Sequence, residues 1–152
     1  MRVLISTLIA AIALCAAGCG SSGVSDYDQA TLNAISTSQQ HLGVLDQRIN
    51  ANALEDRADL DAYVRDMRSA AVEFDTLRGT LQRLTLDDEV TDQLTAYRRQ
   101  LGTTAKLARD LAAAVEDGDE DAAVRTETAY VEAGKSLSRL AAAVNTALNS
   151  AS

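Results

Sequence analysis

Residues 60–84, LDAYVRDMRSAAVEFDTLRGTLQRL, decide the fold. Leu60, Tyr63, Met67, Ala70, Phe74, Leu77, Leu81 and Leu84 recur at alternating spacings of three and four, the period of one helix face. Between them stand Asp61, Arg65, Asp66, Arg68, Glu73, Asp75, Arg78 and Arg83, which this pattern assigns to solvated flanks. A helix is expected from about Asn52 to Thr85, with Asn52 as its N-cap and Glu55 as the returning partner three residues on.

The same spacing extends toward the C-terminus. Asp87, Asp88 and Glu89 place acids where a helix N-terminus favours them, ahead of a stripe of Val90, Leu94, Tyr97, Leu101, Thr104, Ala108, Leu111 and Val115. Glu116-Asp117-Gly118-Asp119 closes that segment, with Gly118 suited to a C-cap and Asp119 to the next N-cap. Ala123, Thr126, Tyr130, Ala133, Leu137, Leu140, Val144 and Ala147 then form a further stripe. Toward the N-terminus the signal weakens. Between Ser25 and Asn50, Leu32, Ile35, Leu42 and Ile49 keep a seam with Leu45 beside it, but Gln39 and Asp46 interrupt it and Ser36 to Gln40 dilute helix propensity.

The chain has no proline and only five aromatic residues among 152, a composition that favours helix over strand. Segments of this length would each span about 40–45 Å, and connections of two to four residues make neighbours antiparallel. None can bury its stripe alone. The expected fold is all-α, an up-down-up-down antiparallel four-helix bundle; the alternative is a three-helix bundle, or helical hairpins that dimerise through alanine-rich seams.

The N-terminus reads differently. Met1-Arg2 precedes an apolar run from Val3 to Leu14, too short for the ~20 residues that a membrane span requires, so it has the form of a signal peptide. Ala16-Ala17-Gly18-Cys19 then resembles the lipobox of bacterial lipoproteins. The resemblance implies cleavage after residue 18 and a diacylglyceryl group on Cys19, with anchoring on the outer face of the cytoplasmic membrane. Ala16 stands where that pattern prefers leucine, and Ala16 with Gly18 also suits an ordinary signal peptidase releasing a secreted protein. Cys15 is no rival, because bulky Leu14 precedes it. The organisation expected is a signal peptide over 1–18, a lipid anchor and flexible spacer over 19–25, and a helical bundle domain over 26–152. Across that domain the alanine-rich helices and Asp/Arg surface resemble in style the small helical lipoproteins of actinobacteria, a likeness that carries no activity.

Charge and chemistry narrow the function. Fourteen Lys and Arg stand against 22 Asp and Glu, and removal of Arg2 with the leader takes the net charge from -8 to -9. That balance argues against a nucleic-acid partner and against electrostatic adhesion to anionic lipid, leaving acyl chains as the anchor. Cys19 would be the mature chain's only cysteine, so no disulfide forms within it. His41 is the only histidine, which excludes bis-histidine haem ligation, a histidine-rich zinc site and the Glu-x-x-His pairs of di-iron bundles. The acidic run from Glu116 to Asp121 lacks the spacing of a calcium loop and reads as a solvated turn. Arg98-Arg99 and Lys106 with Arg109 likewise read as solvated face. No Gly-x-Ser-x-Gly or Gly-rich phosphate loop is present, and Gly43, Gly79, Gly102 and Gly134 stand isolated, with Gly134 expected to mark a close helix contact.

With turns near Asn50, Leu86 and Gly118, Tyr63 would lie level with His41 and Arg109 and near Tyr130, and Phe74 level with Tyr97 and Tyr27. Tyr63, Tyr130, Tyr97 and Phe74 are thus the candidate lining of an inter-helix pocket, weighed against ordinary core packing. The expected role is a non-enzymatic, membrane-anchored interaction module for an envelope protein or for itself, without cofactor or metal; the alternative is a small-ligand binding or sensing domain.

Overall fold

The decisive helix opens at Asp59, not at Asn52. In the computed structural model, which describes residues 29–54, 59–84 and 88–150, the chain forms α1 (Gln29–Leu54), α2 (Leu60–Leu81), α3 (Asp88–Glu116) and α4 (Glu120–Ser150). Ala51, Ala53 and Leu54 are strong helix formers, so nothing stops α1 at Asn50, and it continues through Asn52. The Asp59 carboxylate then accepts a hydrogen bond from the Ala62 amide at 2.9 Å, satisfying a donor that the first turn of α2 leaves free. The expected return partner Glu55 lies outside the described residues.

Ion pairs give the direction of each helix. Arg48 on α1 meets Asp66 on α2 at 2.6 Å and His41 stands 3.8 Å from Glu73, so α1 descends as α2 rises. Arg68 pairs with Glu116 and Asp75 with Arg109, which reverses α3 against α2 in the same way. The last reversal is the tightest. The Asp119 amide bonds the Ala114 carbonyl at 3.0 Å and the Gly118 amide the Val115 carbonyl at 3.2 Å, closing α3 in a Schellman motif. Gly118 makes this turn at a φ of +70°, and Asp119 at once caps α4 through the Ala122 amide. The result is an antiparallel four-helix bundle with no strand among the described residues. α1 packs on α2, α2 on α3 and α3 on α4. No Cα of α1 comes within 8 Å of a Cα of α4 among the described residues, so that side is wider than the three sequential seams.

The stripes of α2, α3 and α4 mostly bury as the periodicity demands, with Met67, Phe74, Leu77, Leu81, Leu94, Leu101, Leu111, Leu137 and Val144 in the interior, while Leu84, Val115, Thr126, Leu140 and Ala147 are half-buried. Ala71, Ala105, Ala108 and Ala112 are fully excluded from solvent, and their small side chains let the backbones come close. Thr80 and Thr104, also buried, satisfy their hydroxyls on the carbonyls of Thr76 and Gln100, one turn back. Gly134 is buried as well.

Two residues depart from the pattern. Leu60, counted on the stripe, is exposed: it is the first residue of α2, and helical side chains lean toward the N-terminus, so it leans off the end. Asp66, counted on a solvated flank, is only 1% exposed, because it faces α1 and takes Arg48 as its partner.

Candidate functional site

Tyr63, Tyr97, Tyr130 and Phe74 are all interior residues. Their levels differ from the expected ones. His41 sits beside Glu73, ten residues along α2 from Tyr63, because the α1–α2 connection falls later than Asn50 and shifts the register, and Arg109 of α3 sits beside Asp75, twelve residues along. Arg98 donates to the Leu81 carbonyl, which places its neighbour Tyr97 toward the C-terminal end of α2 rather than level with Phe74. Tyr27 lies outside the described residues, as does Cys19 with the whole leader and spacer.

One pairing does form. Tyr63 of α2 and Tyr130 of α4 lie close enough to influence each other's ionisation, and each has a carboxylate nearby, Glu127 for Tyr63 and Asp46 of α1 for Tyr130. Burial, then these charges, push both phenols well above the ordinary tyrosine value; burial alone pushes Tyr97 up to about 12. Burial also raises the Glu127 carboxyl. At neutral pH the three phenols are uncharged.

The concave surface lies elsewhere, on the outer side of α2. Leu60, Asp61, Val64, Arg65, Arg68, Ser69 and Val72 of α2, with Val115 and Glu116 of α3, line an open groove of about 570 Å³. A second groove of about 440 Å³ runs between α2 and α1, lined by Ser69, Val72 and Glu73 with His41, Val44, Leu45 and Arg48. Ser69 and Val72 border both, so the exposed ridge of α2 stands between two flanking grooves. Val72 is 64% exposed, Leu60 56% and Val44 54%, unusual for large aliphatic side chains.

Charge frames this apolar strip. Arg48 bonds Asp66, whose side chain is 2% exposed, while Arg65 stands 3.9 Å from the same carboxylate and keeps 64% of its own side chain in solvent. Arg68 is tied to Glu116 at 2.5 Å across the first groove. The surface therefore offers aliphatic contact beside guanidinium groups held in place. Among the described residues no three of His, Cys, Asp and Glu gather to hold a metal ion.

The sequence carried a signal for this face that the stripe analysis passed over. Val44 and Val72 are β-branched aliphatics outside their helices' buried stripes, among residues otherwise polar. A valine in such a place gains nothing from the core. Comparison of the chain with protein-family models, with curated proteins and with solved structures finds no match, so the assignment of a role rests on these residues themselves.

Proposed function

We propose that this protein is a membrane-anchored extracytoplasmic lipoprotein whose four-helix bundle is a non-enzymatic interaction module, held through lipid on Cys19 and docking through the outer face of α2. The observation that carries the docking surface is the exposed Val72, set on a ridge between two grooves with Val44 and Leu60 at their borders. The lipobox-like Ala16-Ala17-Gly18-Cys19 supports the anchor. No helix among the described residues is long and apolar enough to cross a membrane; in this reading the acyl chains on Cys19 do the anchoring.

Two experiments test this reading. A photo-crosslinking residue in place of Val72, irradiated in intact cells, is expected to give protein adducts, while the same residue at Thr128 on α4 gives none. Equal labelling at both places, or none at Val72, overturns the docking surface. Cys19→Ala is expected to release the protein from the membrane fraction and to abolish palmitate labelling; retention of both overturns the anchor.

A second reading rests on Tyr63, Tyr130, Asp46 and Glu127, where three helices bring phenols and carboxylates together. Those groups would bind a small polar or cationic ligand between helices. A rise in Tm with a candidate ligand, lost in Tyr130→Phe, would support it.

A further inference from the structure

We infer that the partner of the α2 face is a second copy of this chain, packed antiparallel about a two-fold axis beside Ser69; this rests on the docking role proposed above. An isologous interface must be complementary to itself, each feature meeting its counterpart after rotation. The outer face of α2 has that form. Its ridge of Arg65, Ser69, Val72 and Thr76 stands between two grooves, so where the ridges of two copies cross at Ser69 the longer side chains of each reach into the grooves beside the other. Ser69 is the small residue at the centre, where two helices come closest.

The charges follow the same symmetry. Arg65 and Glu73 lie four residues to either side of Ser69, so antiparallel pairing sets Arg65 of each copy level with Glu73 of the other. The alkyl stem of Arg65 then crosses Val72 of the partner copy, covering an aliphatic side chain that is otherwise 64% exposed. Arg65 keeps 64% of its side chain in solvent, and it meets Glu73 of the other copy, 18% exposed beside His41, by way of the groove between α1 and α2 that Glu73 lines. Arg65 touches its own copy's Asp66 only at 3.9 Å, and Glu73 reaches His41 only at 3.8 Å. A parallel arrangement would instead bring Arg65 against Arg65. An acidic partner of another kind would satisfy Arg65 and leave Glu73 facing like charge.

The face is small. The two grooves together are lined by 14 residues of each copy, against roughly 20–30 in a standard interface, so the dimer is weak in dilute solution. Confinement of both copies to one membrane surface raises their effective concentration and favours it.

The test uses the full chain in its membrane. Ser69→Cys, treated with a short bis-maleimide, is expected to give a species of twice the monomer mass. The unsubstituted chain gives the background from its native cysteines, and Thr128→Cys the control for random collision. Adding Arg65→Glu to Ser69→Cys is expected to lower the linked fraction about tenfold, since each dimer loses two pairs and gains two repulsions. Adding Arg65→Glu and Glu73→Arg together is expected to restore it, a rescue that misfolding could not produce. Linkage at Ser69 no greater than at Thr128, or a linked fraction indifferent to charge reversal, overturns the dimer. A Val72 photo-adduct carrying a different protein also overturns it while leaving the docking role standing; absence of any Val72 adduct defeats both.

Discussion

α3 meets α2 and α4 mainly through alanine and aliphatic side chains, whereas α1 is fastened to α2 through a buried charge. In the first seams Ala71, Ala105, Ala108 and Ala112 are wholly enclosed and Leu101 and Leu111 fill the space between them. In the α1–α2 seam Ile35, Leu42 and Ile49 are spaced out by Ser38, Gln39 and Asp46, and Arg48 closes over Asp66. The difference teaches that α1 is the specified but less strongly held helix. Apolar burial carries most of the hold in the other seams, whose ion pairs are exposed, whereas the buried Arg48–Asp66 pair, with His41 beside Glu73, fixes the position of α1.

Breaking the apolar seam should have the largest effect. Leu101→Ala, at a residue 1% exposed, is expected to cost about 3 kcal/mol by losing burial and leaving a cavity, read from denaturant midpoints. Breaking the charged seam comes next. Arg48→Ala leaves Asp66 without its closest cation and should cost about 2 kcal/mol, discounted because the Arg48 side chain is half exposed. Native-state hydrogen exchange should then accelerate in α1 before α3 or α4, and equal acceleration in all four helices would refute the distinction. Replacing both partners, Arg48→Met with Asp66→Leu, should recover most of that loss.

High pH probes the two seams together. The folded-state values of Tyr63, Tyr97 and Tyr130 lie above the unfolded value near 10, so their contribution is fully present below pH 10 and is lost as pH rises toward 12 and beyond. Thermal melts should fall in Tm from pH 10 upward. Tyr97→Phe should remove about 1 kcal/mol of that loss at pH 11, and a melt insensitive to pH 10–12 would contradict phenol burial. The smallest effect is expected at the turn. Gly118→Ala forces a Cβ onto a residue with φ +70° and should cost about 1 kcal/mol by chemical denaturation, with no selective loosening of α1.

The stripes of α2, α3 and α4 and the Gly118–Asp119 turn were legible because periodicity and capping are local properties, carried by residues three or four apart. The start of α2 was less so. Asn52 and Asp59 are both competent caps, and helix propensity through Ala51–Leu54 decides between them. Asp66 was misread because a carboxylate on the edge of a stripe is solvated or buried according to what the next helix offers, and Arg48 is eighteen residues away. Gly102 shows the same limit. A Cβ there would come within 2.6 Å of the Arg78 guanidinium, so this glycine makes a seat for an arginine from the neighbouring helix. Of the candidate site, the burial of Tyr63, Tyr97, Tyr130 and Phe74 was legible from the stripes, whereas their levels were not, because the connections between helices shift them. The grooves were not, since they arise from three helices side by side.

An even number of antiparallel helices also sorts the molecule into two poles. Gln29 and Ser150 lie at one, and the start of α2 and the α3–α4 turn at the other. Six acids, Asp59, Asp61, Asp117, Asp119, Glu120 and Asp121, gather at that second pole, because acids cap helices there and favour their first turns, while Asp88 and Glu89 open α3 at the first. For a chain held to an anionic bilayer near its first residues, that pole is repelled whenever it swings to within about 8 Å of the headgroups at physiological salt. A bundle anchored as proposed would then stand as a short upright mast. Its side faces, the outer ridge of α2 among them, would be presented to neighbours along the membrane plane, the orientation that the proposed pairing of copies requires.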